Sequence, residues 1–305
     1  MRNAFVKKLV EIAEKREDIY LITGDLGYGA LDLFIKNYPD RFINAGIAEQ
    51  NMMGVAAGMA KERKTVIVYS IGNFTTLRCI EQIRNDCAYN NLNVKIVSVG
   101  GGFAYGSLGM SHHATEDIAM MRSLPNVKVF SPADSIEALA CTEEMLKQKG
   151  TCYLRLNRGN EEVIHNNEIL NIKKAVKISE GDCITIFSTG NILCEAKKAC
   201  EELKNMGLSV ALYSYPTIKP IDKQTILECA KKCRLIVTVE EHNILGGFGS
   251  SVAEVMTGNI HNSRLLRLGL NDEFTTIIGS QAYLREKYKL SSEKIIKKIL
   301  EEYNS

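Results

Sequence analysis

The sequence predicts an α/β protein of two units, a parallel-sheet domain followed by a smaller, mostly parallel α/β domain. Three observations predict it. Short β-branched runs alternate with helix-patterned stretches along the chain, the pattern of strands joined by crossover helices. Runs such as Thr65–Ser70 (TVIVYS) are apolar almost throughout, as strands buried on both faces are. The chain has 305 residues, more than one ordinary core holds at roughly 100–200 residues per domain.

The elements follow in order. A first helix sets Phe5, Leu9, Ile12 and Ala13 on one face. The strand Tyr20–Thr23 ends in Gly24-Asp25-Leu26-Gly27, and Ala48–Ala60 reads as a helix of small and apolar residues. After the strand Thr65–Ser70, a helix runs from about Thr75 to Ala88, and Val94–Val99 is the next strand. It opens into GGGFAYGSLGMSHH, whose glycines permit unusual backbone angles and close ligand approach. A helix from near Thr115 stops before Pro125, Val127–Phe130 is a strand, Ser131-Pro132-Ala133-Asp134 leads into another helix, and Cys152–Leu156 is a strand. These fill a first domain over 1–160. The stretch 161–180 has few periodic apolar positions and reads as a linker. A second domain over 181–305 repeats the alternation. Its strands are Cys183–Thr189, Leu208–Ser214, Arg234–Glu241 and Arg264–Leu270. Its helices are Glu195–Met206, Lys223–Lys232, a glycine-led one up to Met256, and a C-terminal one.

Composition narrows the function classes. With 38 basic and 36 acidic residues the net charge is +2; no basic face is implied, so no nucleic-acid partner is expected. No apolar run is long enough to span a membrane, and the first residues alternate charged and apolar at helical spacing, unlike a signal peptide. Nine cysteines without a C-x-x-C pair fit a reducing, cytoplasmic setting.

Several polar residues admit both structural and chemical readings. Glu49 opens a predicted helix, where the helix dipole alone favours an acid. Asp25 follows a strand as a turn residue does. Ser111 suits a helix cap. His112, His113, Glu116 and Asp117 include metal-ligating types, but adjacent histidines on a helix diverge by about a third of a turn or more, so no metal site is assigned.

The stretch Asn44-Ala-Gly-Ile-Ala-Glu-Gln-Asn-Met-Met-Gly-Val-Ala-Ala-Gly resembles the segment of transketolases and their relatives that presents a glutamate to thiamine diphosphate. Further pieces stand in the family's order. They are Gly24-Asp25-Leu26, Phe74 with Gln82-Ile83-Arg84, Ser111-His112 running into Glu116-Asp117, Leu124-Pro125-Asn126 and Pro132-Ala133-Asp134. Thr217-Ile218-Lys219-Pro220 and Glu240-Glu241-His242 with Gly246-Gly247 follow in the second domain. The resemblance covers nearly the whole chain and implies a pyrimidine-binding domain followed by a transketolase C-terminal domain.

It also implies residue roles. Glu49 would be the carboxyl on the cofactor's pyrimidine nitrogen, favouring the imino tautomer so that the amino nitrogen accepts the thiazolium proton; burial raises such a carboxyl's pKa towards sharing that proton. Phe74 matches an aromatic that stacks on the aminopyrimidine, though a core phenylalanine reads alike. Ile71 stands where an upstream aromatic is common, and Asp25 matches an aspartate near the thiazolium. His112 matches a histidine at the substrate's reacting oxygens, a suitable proton shuttle, and His113 stands where many relatives have glutamine. Arg158 matches a phosphate-binding arginine, and Arg2, at a matching distance before Asp25, reads as a second or as a solvated N-terminal residue. Arg155 lies on the same predicted strand at odd spacing and is expected to face the other way.

Departures from the pattern bear on substrate. Leu108 replaces an aspartate that reads a substrate hydroxyl, a phosphate-contacting histidine falls on Gly100 or a neighbour, and Gly29 replaces a serine. A deoxy, branched or shorter sugar is expected. No Gly-Asp-Gly turn for the diphosphate and its Mg²⁺ occurs. The resemblance therefore implies a C-terminal subunit of a split transketolase that takes its metal from an N-terminal, diphosphate-binding partner, in an α2β2 assembly containing a homodimer of this chain. Rival readings are a deoxyxylulose-phosphate synthase-like or 2-oxoacid dehydrogenase β-subunit-like enzyme, a non-catalytic scaffold subunit, and a flavodoxin-like module, the last without a Rossmann glycine fingerprint.

Overall fold

The computed structural model describes residues 1–159, 161–166 and 170–305. Residue 160, the last of the first domain as read from the sequence, and residues 167–169, part of the stretch read as linker, lie outside the described residues.

The strands of the first half are β1 (Ile19–Thr23), β2 (Phe42–Asn44), β3 (Thr65–Ile71), β4 (Val94–Val99), β5 (Lys128–Phe130) and β6 (Cys152–Leu156). Those of the second are β7 (Val176–Ser179), β8 (Ile184–Ser188), β9 (Val210–Ser214), β10 (Thr217–Lys219), β11 (Leu235–Asn243) and β12 (Arg264–Leu270). Among the described residues they form a seven-stranded sheet, ordered β10-β5-β6-β4-β3-β1-β2, and a five-stranded sheet, ordered β12-β11-β8-β9-β7. Pairing is parallel except at two edges, where β10 runs against β5 and β7 against β9. Helices cover both faces, which is why the central strands β3 and β4 are buried along nearly their whole length.

Alternate side chains of the first sheet feed two cores. Val66, Val68 and Ile96 face a core that also takes Phe187, Tyr215 and Phe248 from the second half, so apolar packing joins the two domains. Ile67, Tyr69 and Val97 face the helices Arg2–Ala13 and Ser135–Lys147. A third core lies beneath the helices Leu193–Asn205 and Ser292–Asn304.

Four features differ from the sequence expectation. The strand β7 lies inside the stretch read as linker, and its four residues, three half-buried and Lys177 exposed, carry no alternation strong enough to mark an edge strand. The strand β10 leaves the second half to complete the first sheet. The helix expected over about Thr75–Ala88 is broken into the helical turn Gly72–Thr75, a 3₁₀ turn Leu77–Cys79, an α-helical turn Ile80–Gln82 and a π-helical segment Ile83–Ala88. Thr76 Oγ1 and Thr75 Oγ1 both donate to the Gly72 carbonyl, at 2.7 and 3.3 Å, competing with the helical amide bonds. The C-terminal helix is two, Gln281–Lys287 and Ser292–Asn304, with Lys289 between them in a left-handed conformation.

The described segment after β6 is pinned by a buried ion cluster. Asp134 caps the helix Ser135–Lys147 through the amides of Ile136 and Glu137, and its other oxygen accepts from the amides of Ile164 and His165. The His165 ring reaches Asp134 at 2.9 Å and Glu137 at 3.1 Å. Burial opposes the imidazolium, yet these carboxylates outweigh it and lift His165 to about 10. Burial likewise opposes the Asp134 carboxylate, and the hydrogen bonds from His165 and the Glu137 amide hold it at about 2. A raised histidine stabilises fully below its unfolded value of about 6.5 and ceases to as pH rises through 10; a lowered aspartate stabilises above about 3.9 and ceases to as pH falls through 2. Protection of the Ile164 and His165 amides against hydrogen exchange should therefore be level between about pH 4 and 6.5 and fall on both sides. A protection profile without the alkaline fall would remove the charged histidine from this anchor.

Candidate active site

Because β1, β3 and β4 are parallel, their C-terminal ends open on one edge of the first sheet. The turn after β1 brings Gly24 against the first residue of the helix Glu49–Lys61, where a Cβ would stand 3.4 Å from Glu49 Cγ. Glu49 is 2% exposed. Its Oε2 accepts from Arg78 Nη1 at 2.6 Å, and the Arg78 guanidinium lies over the Phe74 ring at 4.4 Å. A flat N–H-bearing cation thus fills a slot between a buried carboxylate and an aromatic face. Phe74 and Arg78 stand four residues apart, a spacing that puts both side chains on one side of a helical segment and against Glu49.

The histidine loop packs onto the same segment. A Cβ at Gly72 would meet Ala114 Cβ at 2.6 Å, so only glycine admits the loop so closely. Asn73 Nδ2 donates to the carbonyls of Ser111 and His113. These contacts set the His112 ring 5.3 Å from Phe74 and 6.4 Å from Tyr105, both edge-on. Ser111 Oγ sits 3.0 Å from His112 Nδ1 and caps no helix. The Nε2 of His112 has no partner among the described residues.

One expected substrate contact is corrected. His113 is 2% exposed; Nε2 must donate to the Gly106 carbonyl, which leaves Nδ1 to accept from Thr275 Oγ1 at 2.7 Å. Both nitrogens are used inside the protein, and burial lowers its pKa. It wedges the loop against the C-terminal domain rather than reading a sugar. Leu108 projects from a 3₁₀ turn at 52% exposure, and Met110, two residues on, lines a pocket beside Phe74. That pocket, about 430 Å³, is bordered by Phe74, Leu77, Arg78, Met110, Glu116 and Phe274.

Arg2 and Arg158 meet in a second pocket of about 590 Å³ with Asn3, Asn157, Gly159 and, from the C-terminal domain, Gln281. Arg2 Nε is shielded and finds no acceptor among the described residues, and the Arg158 guanidinium lies 5.4 Å over the Tyr105 ring. Arg155 points away from this pocket; Arg158 lies beyond the end of β6, so strand alternation does not relate the two. Arg155 is buried, donating to Asp117 Oδ2 at 2.8 Å and to the carbonyls of Ala114 and Glu241. Asp117, under Arg155 and the Tyr153 hydroxyl, is a packing anion. Asp25 adopts a left-handed conformation, and hydrogen bonds from the Tyr28 hydroxyl and Asn44 hold its carboxylate below the usual range. Ile71 ends β3, half-buried, on the approach to Phe74. His242, buried in the C-terminal domain, accepts from the Ala119 amide at 3.3 Å and so caps the helix Asp117–Ser123 across the domain boundary; burial takes its pKa down to about 4.

Known proteins share both halves of this architecture. Residues 1–162 match the model of the transketolase pyrimidine-binding domain and residues 173–295 that of the transketolase C-terminal domain. A protein of Methanocaldococcus jannaschii named as a transketolase C-terminal section is 40% identical, covering 99% of this chain and 96% of its own. An apulose-4-phosphate transketolase subunit of Actinobacillus succinogenes is 30% identical, covering 97% and 96%. A solved structure described as a split-gene transketolase, "inactive beta4 tetramer", superposes with a TM-score of 0.90 at 33% identity, covering 98% of this chain and 97% of its own.

Proposed function

This chain belongs to the transketolase family, and on that premise we propose that it is the C-terminal subunit of a two-chain transketolase that transfers a two-carbon ketol unit from a phosphorylated ketose to an aldose. The observation that carries this reading is an alignment of groups along one edge of the sheet. The Glu49–Phe74 slot, the free face of His112 and the Arg2–Arg158 pocket stand in succession. They match in order a flat cofactor ring, the reacting end of a sugar, and its anionic tail.

The slot fits the aminopyrimidine of thiamine diphosphate. The guanidinium in it is planar, donates to Glu49 and stacks on Phe74, as an aminopyrimidine would. When bound, that cofactor supplies the carbon nucleophile. Glu49 would hold a proton against the ring nitrogen, Phe74 would fix the ring plane, and Ile71 and Asp25 would border it. Arg78 must swing out for the cofactor to enter, and at 43% side-chain exposure it has solvent to swing into. His112 Nε2 would move protons at the sugar's carbonyl and adjacent hydroxyl, while Arg2 and Arg158 bind the phosphate as charged forks.

A diphosphate-binding partner chain holding Mg²⁺ belongs to the proposal, since this sequence has no Gly-Asp-Gly turn to do so. The description of the split-gene relative as an inactive tetramer supports looking for it. The name of the apulose-4-phosphate relative supports a phosphorylated sugar other than those of ordinary transketolases. Nine thiols without a disulfide support a reducing, cytoplasmic setting.

The test is native mass spectrometry of this chain captured from its source lysate with thiamine diphosphate and Mg²⁺, followed by assays of the complex. A stoichiometric partner with a Gly-Asp-Gly motif, retained cofactor and ketol transfer between sugar phosphates are expected. Turnover of pyruvate in place of a ketose would replace the reaction, and a lone cofactor-free oligomer beside an expressed partner would replace the two-chain enzyme with a scaffold.

A further inference from the structure

Between His112 and the arginine pair stands one aromatic side chain to which the proposed reaction gives no part. We propose that Tyr105 is a specificity-determining residue, its ring forming the wall between the reacting end and the anionic tail of the sugar and its hydroxyl donating to that tail.

Three observations place it there. First, Tyr105 touches both neighbours: its ring stands edge-on to His112 at 6.4 Å and carries the Arg158 guanidinium over its face at 5.4 Å. Second, the ring occupies space released by another position. Gly100, at the end of β4, has φ +98°, and a Cβ built on it would run into the Tyr105 ring carbons. Position 100 therefore supplies no side chain to the site, and Tyr105, five residues on, fills the volume such a chain would claim. Third, Tyr105 is half-buried, and its hydroxyl is within electrostatic reach of Arg158 and Arg2 and hydrogen-bonded to no described residue. Burial raises its pKa despite those two cations, so the phenol stays protonated near neutral pH and offers a hydrogen to an anionic oxygen.

A tail held by two guanidiniums and a phenol is a single tetrahedral anion such as a phosphate. The wall fixes how far that anion stands from His112, and so selects the length of the sugar between them. A ring face also favours the C–H side of a sugar over its hydroxyls. The inference rests on the phosphate pocket assigned above.

The experiment uses the full chain and two probes, ribose 5-phosphate and ribose, with affinities read by NMR titration. Y105F keeps the ring and removes only the donor; it should weaken ribose 5-phosphate about tenfold without changing ribose. Y105A should weaken it further. In the assembled enzyme, Y105F should raise KM for a phosphorylated acceptor and leave kcat within about twofold. If Y105F and Y105A bind ribose 5-phosphate as the parent chain does while R158A loses it, the pocket stands and the Tyr105 assignment falls. If R158A also binds normally, or the parent chain binds neither probe, the pocket itself falls and takes the assignment with it.

Discussion

Glu49→Gln should reduce ketol transfer by the assembled enzyme about 10²–10⁴-fold, the range of a lost proton-transfer group, while the chain melts within about 2 °C of the parent. Glutamine has the shape of glutamate and still presents an oxygen to Arg78, but its amide neither shares nor holds a proton for a ring nitrogen. The stability change is small because the Glu49–Arg78 pair is one-sided, with Arg78 43% exposed on its side chain and able to return to water. Initial rates together with calorimetric melting decide the matter. Turnover near that of the parent would exclude Glu49 from the chemistry, and a large fall in melting temperature would mean that the carboxylate serves the fold.

Arg155→Met should destabilise the chain by about 3–5 kcal/mol, the cost of leaving a buried charge without its partner. The variant strands Asp117, which has 0% exposure and one oxygen that already lacks a hydrogen bond. It also removes the donor to the Glu241 carbonyl, so the loss falls on the contact between domains. Glu241 itself binds Arg285 and the Phe103 amide, which extends the same network into the histidine loop. Urea unfolding followed by far-UV circular dichroism measures the effect, and Asp117→Asn in the same chain should restore part of it. A loss below about 1 kcal/mol would reduce the pair to a surface-like contact.

Much of the fold was legible because long buried strands announce themselves. Thr65–Ile71 and Val94–Val99 are mostly apolar, and both appear where their sequence places them. The strands β7 and β10 were not legible: four and three residues long, they carry too little pattern to register, and their pairing is decided by distant partners. Within the site, Glu49 and Phe74 were marked by motif, and the structure sets them against one slot. Arg78, Asn73 and Tyr105 carried no such mark. Arg78 sits four residues after Phe74 and is its neighbour by helical spacing, but nothing in that spacing marks it as the partner of Glu49. Tyr105 matters because of Gly100, a relation between a side chain and an absence that spacing alone does not display. His113 misled for the opposite reason: beside His112 in sequence, it faces inward, where Thr275 meets it.

The crossing of β10 into the first sheet orders events during synthesis. The edge of β5 is closed by Thr217–Lys219, about 60 residues after β6 ends at Leu156. At about 5–20 residues per second, a ribosome would need some 3–12 seconds to deliver the closing strand. Through that interval the nascent first domain carries an unpaired strand edge, open to pairing with other chains, so its maturation is timed by translation of a segment that belongs to the other domain.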